Sequence, residues 1–135
     1  MKRTILMLIV IVFLSGCAGS PFQLSRMDRE QLSTVTDGQL IRAIGNKVYR
    51  TDLMFEEAKS RGLFTDEEIR LIKEQKISIG MSEKALVTSW GNPTRINRSV
   101  GRYGVHKQYV YGSYSRYSRP TYVYVENGKV TGWQD

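Results

Sequence analysis

The sequence predicts an α+β domain, with helices packed on one face of a three- to four-stranded antiparallel β-meander and a short helical segment ahead of it. Three observations predict this class. Capping signatures recur before helix-periodic apolar residues up to Trp90, and after Pro93 the apolar period changes to alternation. Two alternating runs then flank Asn127-Gly128, the strongest short hairpin signal a sequence offers.

The chain opens with Lys2 and Arg3, then ten consecutive apolar residues from Ile5 to Leu14, then Ser15-Gly16-Cys17. A basic start, a short apolar run and small residues describe an export signal, and the run is too short to span a bilayer. Leu14-Ser15-Gly16-Cys17 resembles a lipobox, so residues 1–16 are expected to be a lipoprotein signal peptide and Cys17 the lipidated first residue of the mature chain. No cofactor is expected beyond that covalent lipid. Residues 17–26 are small and polar and contain Pro21, which reads as a flexible tether.

Residues 27–76 form the predicted helical segment. Thr36 and Gln39 have capping-box spacing ahead of Leu40, Ile41 and Ile44, and Gly45-Asn46 ends that helix. Thr51 or Asp52 caps a second helix carrying Leu53, Met54, Phe55 and Ala58, closed by Gly62. Thr65-Asp66-Glu67-Glu68 is a capping box for a third, with Phe64 and Ile69 placed as a hydrophobic staple. Residues 77–135 are the predicted α+β domain, whose helix starts at the N-cap Ser82 and stops at Gly91 and Pro93.

Strands are predicted over 94–100 and 105–111, around a Gly101-to-Gly104 turn, and then over 121–126 and 129–133. A two-residue turn fixes register. It sets Glu126 opposite Lys129, Val125 opposite Val130, Tyr124 opposite Thr131, Val123 opposite Gly132 and Tyr122 opposite Trp133. One face then carries Val123, Val125 and Val130; the other carries Tyr122, Tyr124, Thr131 and Trp133.

Three stretches together, Ile79-Gly80-Met81-Ser82, Trp90-Gly91-Asn92-Pro93 and Val125-Glu126-Asn127-Gly128-Lys129-Val130-Thr131, resemble the BamE (SmpA/OmlA) type of small outer-membrane lipoprotein domain. The resemblance covers the chain from Ile77 onward. It implies a helix pair on an antiparallel meander, tethered to the outer membrane and facing the periplasm, with an accessory role beside other envelope proteins. Relative to that family, this chain carries a longer helical segment and a Tyr/Ser/Arg insertion from Gly112 to Arg119, and no residue role is carried over from it.

Removing Lys2 and Arg3 leaves 18 Lys and Arg against 13 Asp and Glu, a net charge of +5 in place of +7. Such an excess favours anionic envelope surfaces, and no helix-turn-helix, RNP or zinc-finger pattern points to nucleic acid. The single histidine, His106, and the single cysteine offer no metal set and no nucleophile–base pair, so neither a metal site, catalytic residues nor a small-molecule substrate is expected. Asp66, Glu67 and Glu68 fall in a first helical turn, where negative charge complements the macrodipole.

The most distinctive composition is aromatic and basic. Tyr111, Tyr114, Arg116, Tyr117, Arg119, Tyr122, Tyr124 and Trp133 are the candidate partner-binding residues, because Tyr, Trp and Arg recur as anchors in binding patches. The expected partners are the membrane, through the lipid anchor, and an envelope protein. The function class is a non-enzymatic binding or accessory module. The alternative is an inhibitor or immunity-type lipoprotein that blocks an exported hydrolase through the aromatic face.

Overall fold

The computed structural model of the protein describes residues 19–113, 115 and 118–135. The expected export signal over residues 1–16, the expected lipidation site Cys17, and Tyr114, Arg116 and Tyr117 lie outside the described residues. Among the described residues, six helices precede the sheet: α1 (Pro21–Leu24), α2 (Arg29–Thr34), α3 (Asp37–Gly45), α4 (Asp52–Ser60), α5 (Asp66–Glu74) and α6 (Glu83–Trp90). Four strands follow as an antiparallel meander in sequence order: β1 (Arg95–Gly101), β2 (Gly104–Tyr111), β3 (Thr121–Glu126) and β4 (Lys129–Gln134). The class is therefore the α+β one that the change of period predicts.

Each helix start is held by a side chain that accepts a backbone N–H. Thr36, Thr51, Thr65 and Ser82 are the N-caps of α3, α4, α5 and α6, and Thr36–Gln39 and Thr65–Glu68 are complete capping boxes. The expected tether differs from the observed chain. Ser20 caps a single helical turn with Pro21 at its first position, and Leu24 is fully buried against the rest of the core, so residues 20–24 of the expected tether are packed.

One cluster of buried residues runs through the whole described chain, from Leu24, Leu40, Ile44 and Met54 through Ile72 and Leu86 to Val123, Val125 and Val130. The helix α6 joins the two regions. It packs on α3 and α5 on one side and reaches β4 on the other. Helices α1 and α4 pack on α3, and α2 packs on α4. Residues 27–76 and 77–135 thus share one core, and burying a Leu such as Leu86 within it is worth about 1.5–3 kcal/mol.

The hairpin prediction holds at the turn and fails beyond it. Asn127 and Gly128 both have positive φ (48° and 80°), and Glu126 faces Lys129 while Val125 faces Val130. A bulge then inserts one residue into β4, so that Tyr124 faces Gly132, Val123 faces Trp133 and Tyr122 faces Gln134. Thr131 is the extra residue, and its hydroxyl donates to the Tyr124 carbonyl at 3.3 Å. The physical reason stands in the sequence: Gly132, without a side chain to pack, weakens regular pairing and marks the bulge.

The two edges of the sheet are treated differently. Along β4, Gly80 N–H donates to the Val130 carbonyl (2.7 Å), Val130 N–H donates to the Met81 carbonyl (2.9 Å), and Ser82 bridges Lys129. Residues ahead of α6 therefore seal the start of that edge, at Lys129 and Val130. Strand β1 lies at the opposite end of the strand order, and all seven of its residues are exposed.

Candidate functional site

The strand registers decide which side chains share a face, because cross-strand neighbours point the same way. Lys107, Tyr109 and Tyr111 pair with Val125, Val123 and Thr121, and so lie on the helix side of the sheet. His106, Gln108 and Val110 pair with Glu126, Tyr124 and Tyr122, on the outer side. Burial agrees with this assignment. In β3, Val123 and Val125 are buried while Tyr124 and Glu126 are exposed.

The expected aromatic face is accordingly divided. Tyr111 is half-buried and packs against the core: its ring stands edge-on to Trp90 with centroids 5.3 Å apart, and its hydroxyl donates to the Gly91 carbonyl at 3.1 Å. Burial pushes its phenol up to about 12. Trp133 is moved to the helix side by the bulge, opposite Val123, where it stays 44% exposed near the end of the edge strand. Both are withdrawn from the outer patch. Tyr122 and Tyr124 remain on it, and the helices of residues 27–76 do not cover them.

Around these two tyrosines the outer face is polar and adaptable. The Tyr124 hydroxyl, on a residue 37% exposed, lies 3.5 Å from Gln108 Nε2 and 3.4 Å from Gln134 Oε1. Asn97 donates to Gln108 at 2.8 Å, and His106 Nδ1 lies 3.2 Å from Glu126 Oε1. Val110 is buried on this side without belonging to the main core cluster. A shallow hollow of about 310 Å³ lies beside it, lined by Thr94, Arg95, Val110, Gly112, Pro120 and Tyr122. Arg119 is exposed near the end of the β2–β3 connection.

On the helix side, Lys107 Nζ donates to both Glu83 oxygens (2.7 and 2.9 Å), and the Tyr109 hydroxyl donates to the same carboxylate. Burial alone would raise the Glu83 pKa, but the bonds from Lys107 and Tyr109 hold it below its ordinary value. Burial and the Glu83 carboxylate push the Tyr109 phenol well above its ordinary range. Both groups are displaced away from neutrality, so neither is tuned to exchange a proton near pH 7. An open pocket of about 300 Å³ beside them is lined by Glu83, Arg98, Val105, Lys107, Val125 and Asn127. Among the described residues, no three His, Cys, Asp or Glu groups are placed to hold a metal ion.

In comparisons with protein-family models, curated proteins and solved structures, nothing matches the chain. Among the described residues, no helix is long and apolar enough to cross a membrane.

The sequence reading missed two features that shape this surface. The first is charge segregation: residues 84–125 contain no Asp or Glu but seven Lys and Arg. It was visible as a run without acids. The second is Asn127, whose side chain accepts the Val105 N–H at 3.1 Å while its own N–H donates to the Val105 carbonyl at 3.0 Å. Asn127 thereby ties the β1–β2 hairpin to the β3–β4 turn. A Cβ on Gly104 would come within 2.2 Å of the Asn127 oxygen, so glycine is required there.

Proposed function

We propose that this chain is a cell-envelope lipoprotein, held at the periplasmic side of the outer membrane by lipid on Cys17, that acts as a non-enzymatic binding or accessory module for another envelope protein. The observation that carries the reading is the outer face of the sheet. It presents Tyr122 and Tyr124 with Gln108, Gln134 and Arg95, and no helix layer packs over it. Aromatic rings with a polar tip, amide side chains and arginine are the chemistry of protein-binding surfaces.

The signal sequence supports the location. Two or more acyl chains give stable anchoring, and a diacylglyceryl cysteine supplies them. In sequence two residues, Ala18 and Gly19, separate Cys17 from Ser20, the cap of the first helix, so a lipid on Cys17 lies no more than about 10 Å along the chain from that cap. Such a leash holds the domain close to the bilayer. The four-stranded meander with α6 reaching β4 is compatible with the BamE-type resemblance of residues 77–135, and from that resemblance we infer an accessory role in outer-membrane protein assembly or envelope maintenance.

Two measurements test this reading. Cys17→Ser should shift the protein out of the membrane fraction, and recovery in that fraction at the wild-type level would overturn the anchor. A Tyr122→Ala/Tyr124→Ala double variant with an unchanged circular dichroism spectrum should lose the envelope protein that co-purifies with the wild type. Undiminished recovery of that protein would overturn the surface.

A further inference from the structure

The open edge of the sheet carries more information than its exposure. In the β1–β2 hairpin Gly101 faces Gly104 across the two-residue turn, and the pairing continues without a break to Arg95 opposite Val110. Hydrogen-bonded and non-hydrogen-bonded pairs alternate along an antiparallel ladder, and the pair flanking a two-residue turn is of the bonded kind. Arg95, Asn97, Ser99 and Gly101 therefore direct their backbone groups at β2. Ile96, Arg98 and Val100 direct theirs outward, and their side chains fall on the helix side with Tyr109, Lys107 and Val105.

Two of these three residues are apolar and lie in the open. Ile96 is 47% and Val100 64% exposed, since the helices that bury β3 and β4 do not reach β1. Between them stands Arg98, which has no ion pair among the described residues. It lines the open 300 Å³ pocket together with Lys107, and the nearest carboxylate there, Glu83, is already bonded to Lys107 and Tyr109. Arg95 and Arg102 add charge at either end of the strand, within a stretch that contains no acid.

We propose that β1 is a docking edge for an extended segment of a partner protein with the pattern apolar-x-acidic-x-apolar, which adds to the sheet beside β1. The backbone of Ile96, Arg98 and Val100 supplies the ladder bonds, the acidic residue faces Arg98, and the two apolar residues cover Ile96 and Val100. The pattern reads the same in both directions, so it fits a parallel or an antiparallel strand. A second copy of this chain is a poor occupant. Two β1 strands pairing symmetrically about Arg98 would set like charges directly opposite each other. A charge inside an edge strand blocks such self-pairing and leaves an acidic strand favoured.

This inference deepens the reading as a binding module, and its test does not depend on Cys17, so failure of the anchor and failure of the edge are told apart. The full chain in detergent is titrated with a synthetic peptide whose core is Val-Thr-Glu-Thr-Val, and with the same peptide bearing Lys in place of Glu. Hydrogen exchange at Ile96, Arg98 and Val100 should slow on saturation with the acidic peptide. The Lys peptide should bind about fivefold more weakly. Arg98→Glu, an exposed substitution, should reverse that preference. Equal binding of the two peptides, no protection at these three amides, or concentration-dependent dimerisation through β1 in the absence of peptide would each overturn the proposal.

Discussion

Residues 19–76 carry ten Lys and Arg against ten Asp and Glu, whereas residues 77–135 carry eight against three. In the helical region the charges are spent on one another. Arg61 donates to Asp37, Glu57 and the carbonyls of Leu32 and Val35, gathering α2, α3 and α4, and Arg70 spans Glu67 and Glu74 along α5. In the sheet region Arg95, Arg98, Arg102 and Arg119 have no ion pair among the described residues. The contrast teaches that the net charge is not spread over the molecule. It is concentrated on the region whose face and edge are open, where it can steer an anionic partner without any loss to folding.

The largest expected effect breaks the two regions apart or shows that they cannot be separated. Leu86→Ala, at the fully buried centre of the connecting helix, should cost about 2–5 kcal/mol. Helix circular dichroism and fluorescence from Trp90 and Trp133 should lose signal in one coincident transition. Two separated transitions would mean that the helical and sheet regions are independent units.

Next in size is Glu68, a buried carboxylate that accepts the Thr65 N–H at 3.0 Å and the Ser82 N–H at 2.8 Å, joining the start of α5 to the start of α6. Burial raises its pKa, but the bonds from Ser82 and Thr65 outweigh that and hold it below the ordinary value. The unfolded state then takes up the proton first as pH falls. The stabilisation is present above the ordinary carboxylate pKa and is lost as pH drops through the lower folded value. Glu68→Ala should cost about 2–3 kcal/mol at pH 7 and flatten the acid side of the stability profile. A variant as acid-labile as the wild type would contradict this role.

Gly128→Val places a β-branched side chain at positive φ and should cost about 1–3 kcal/mol, with the loss read as faster hydrogen exchange in β3 and β4. An unchanged melting temperature would contradict the turn. The smallest effect sharpens the charge contrast. Arg98→Ala should leave stability within about 0.5 kcal/mol, because an exposed edge arginine without a pair holds nothing in place. A larger loss would show that the sheet region also depends on its charges to fold.

The legible parts of this fold are those set by neighbours in the chain. Thr36, Thr51, Thr65 and Ser82 announce their helices because a cap reaches only two or three residues ahead, and Asn127-Gly128 announces its turn for the same reason. What failed depends on distance. Tyr111 was grouped with Tyr122 and Tyr124, but the connection between β2 and β3 is long and fixes no register, so its face is chosen by contacts with Trp90 and Gly91 far back in sequence. Trp133 changed sides through a single extra residue, which Gly132 signalled and strict alternation overlooked. Leu24 sits in a stretch whose small polar residues read as loose chain, and only the core it enters reveals its purpose.

The seal along β4 has a consequence for stoichiometry. A sheet with two open edges can add copies head to tail without limit and grow into a fibre. Here Gly80, Met81 and Ser82 occupy the start of one edge, at Lys129 and Val130, so β1 of another molecule cannot pair along the full length of β4. Head-to-tail addition of copies is thereby obstructed at β4, and Arg98 opposes symmetric pairing at β1. The obstruction is built into the fold and does not depend on how many copies are present.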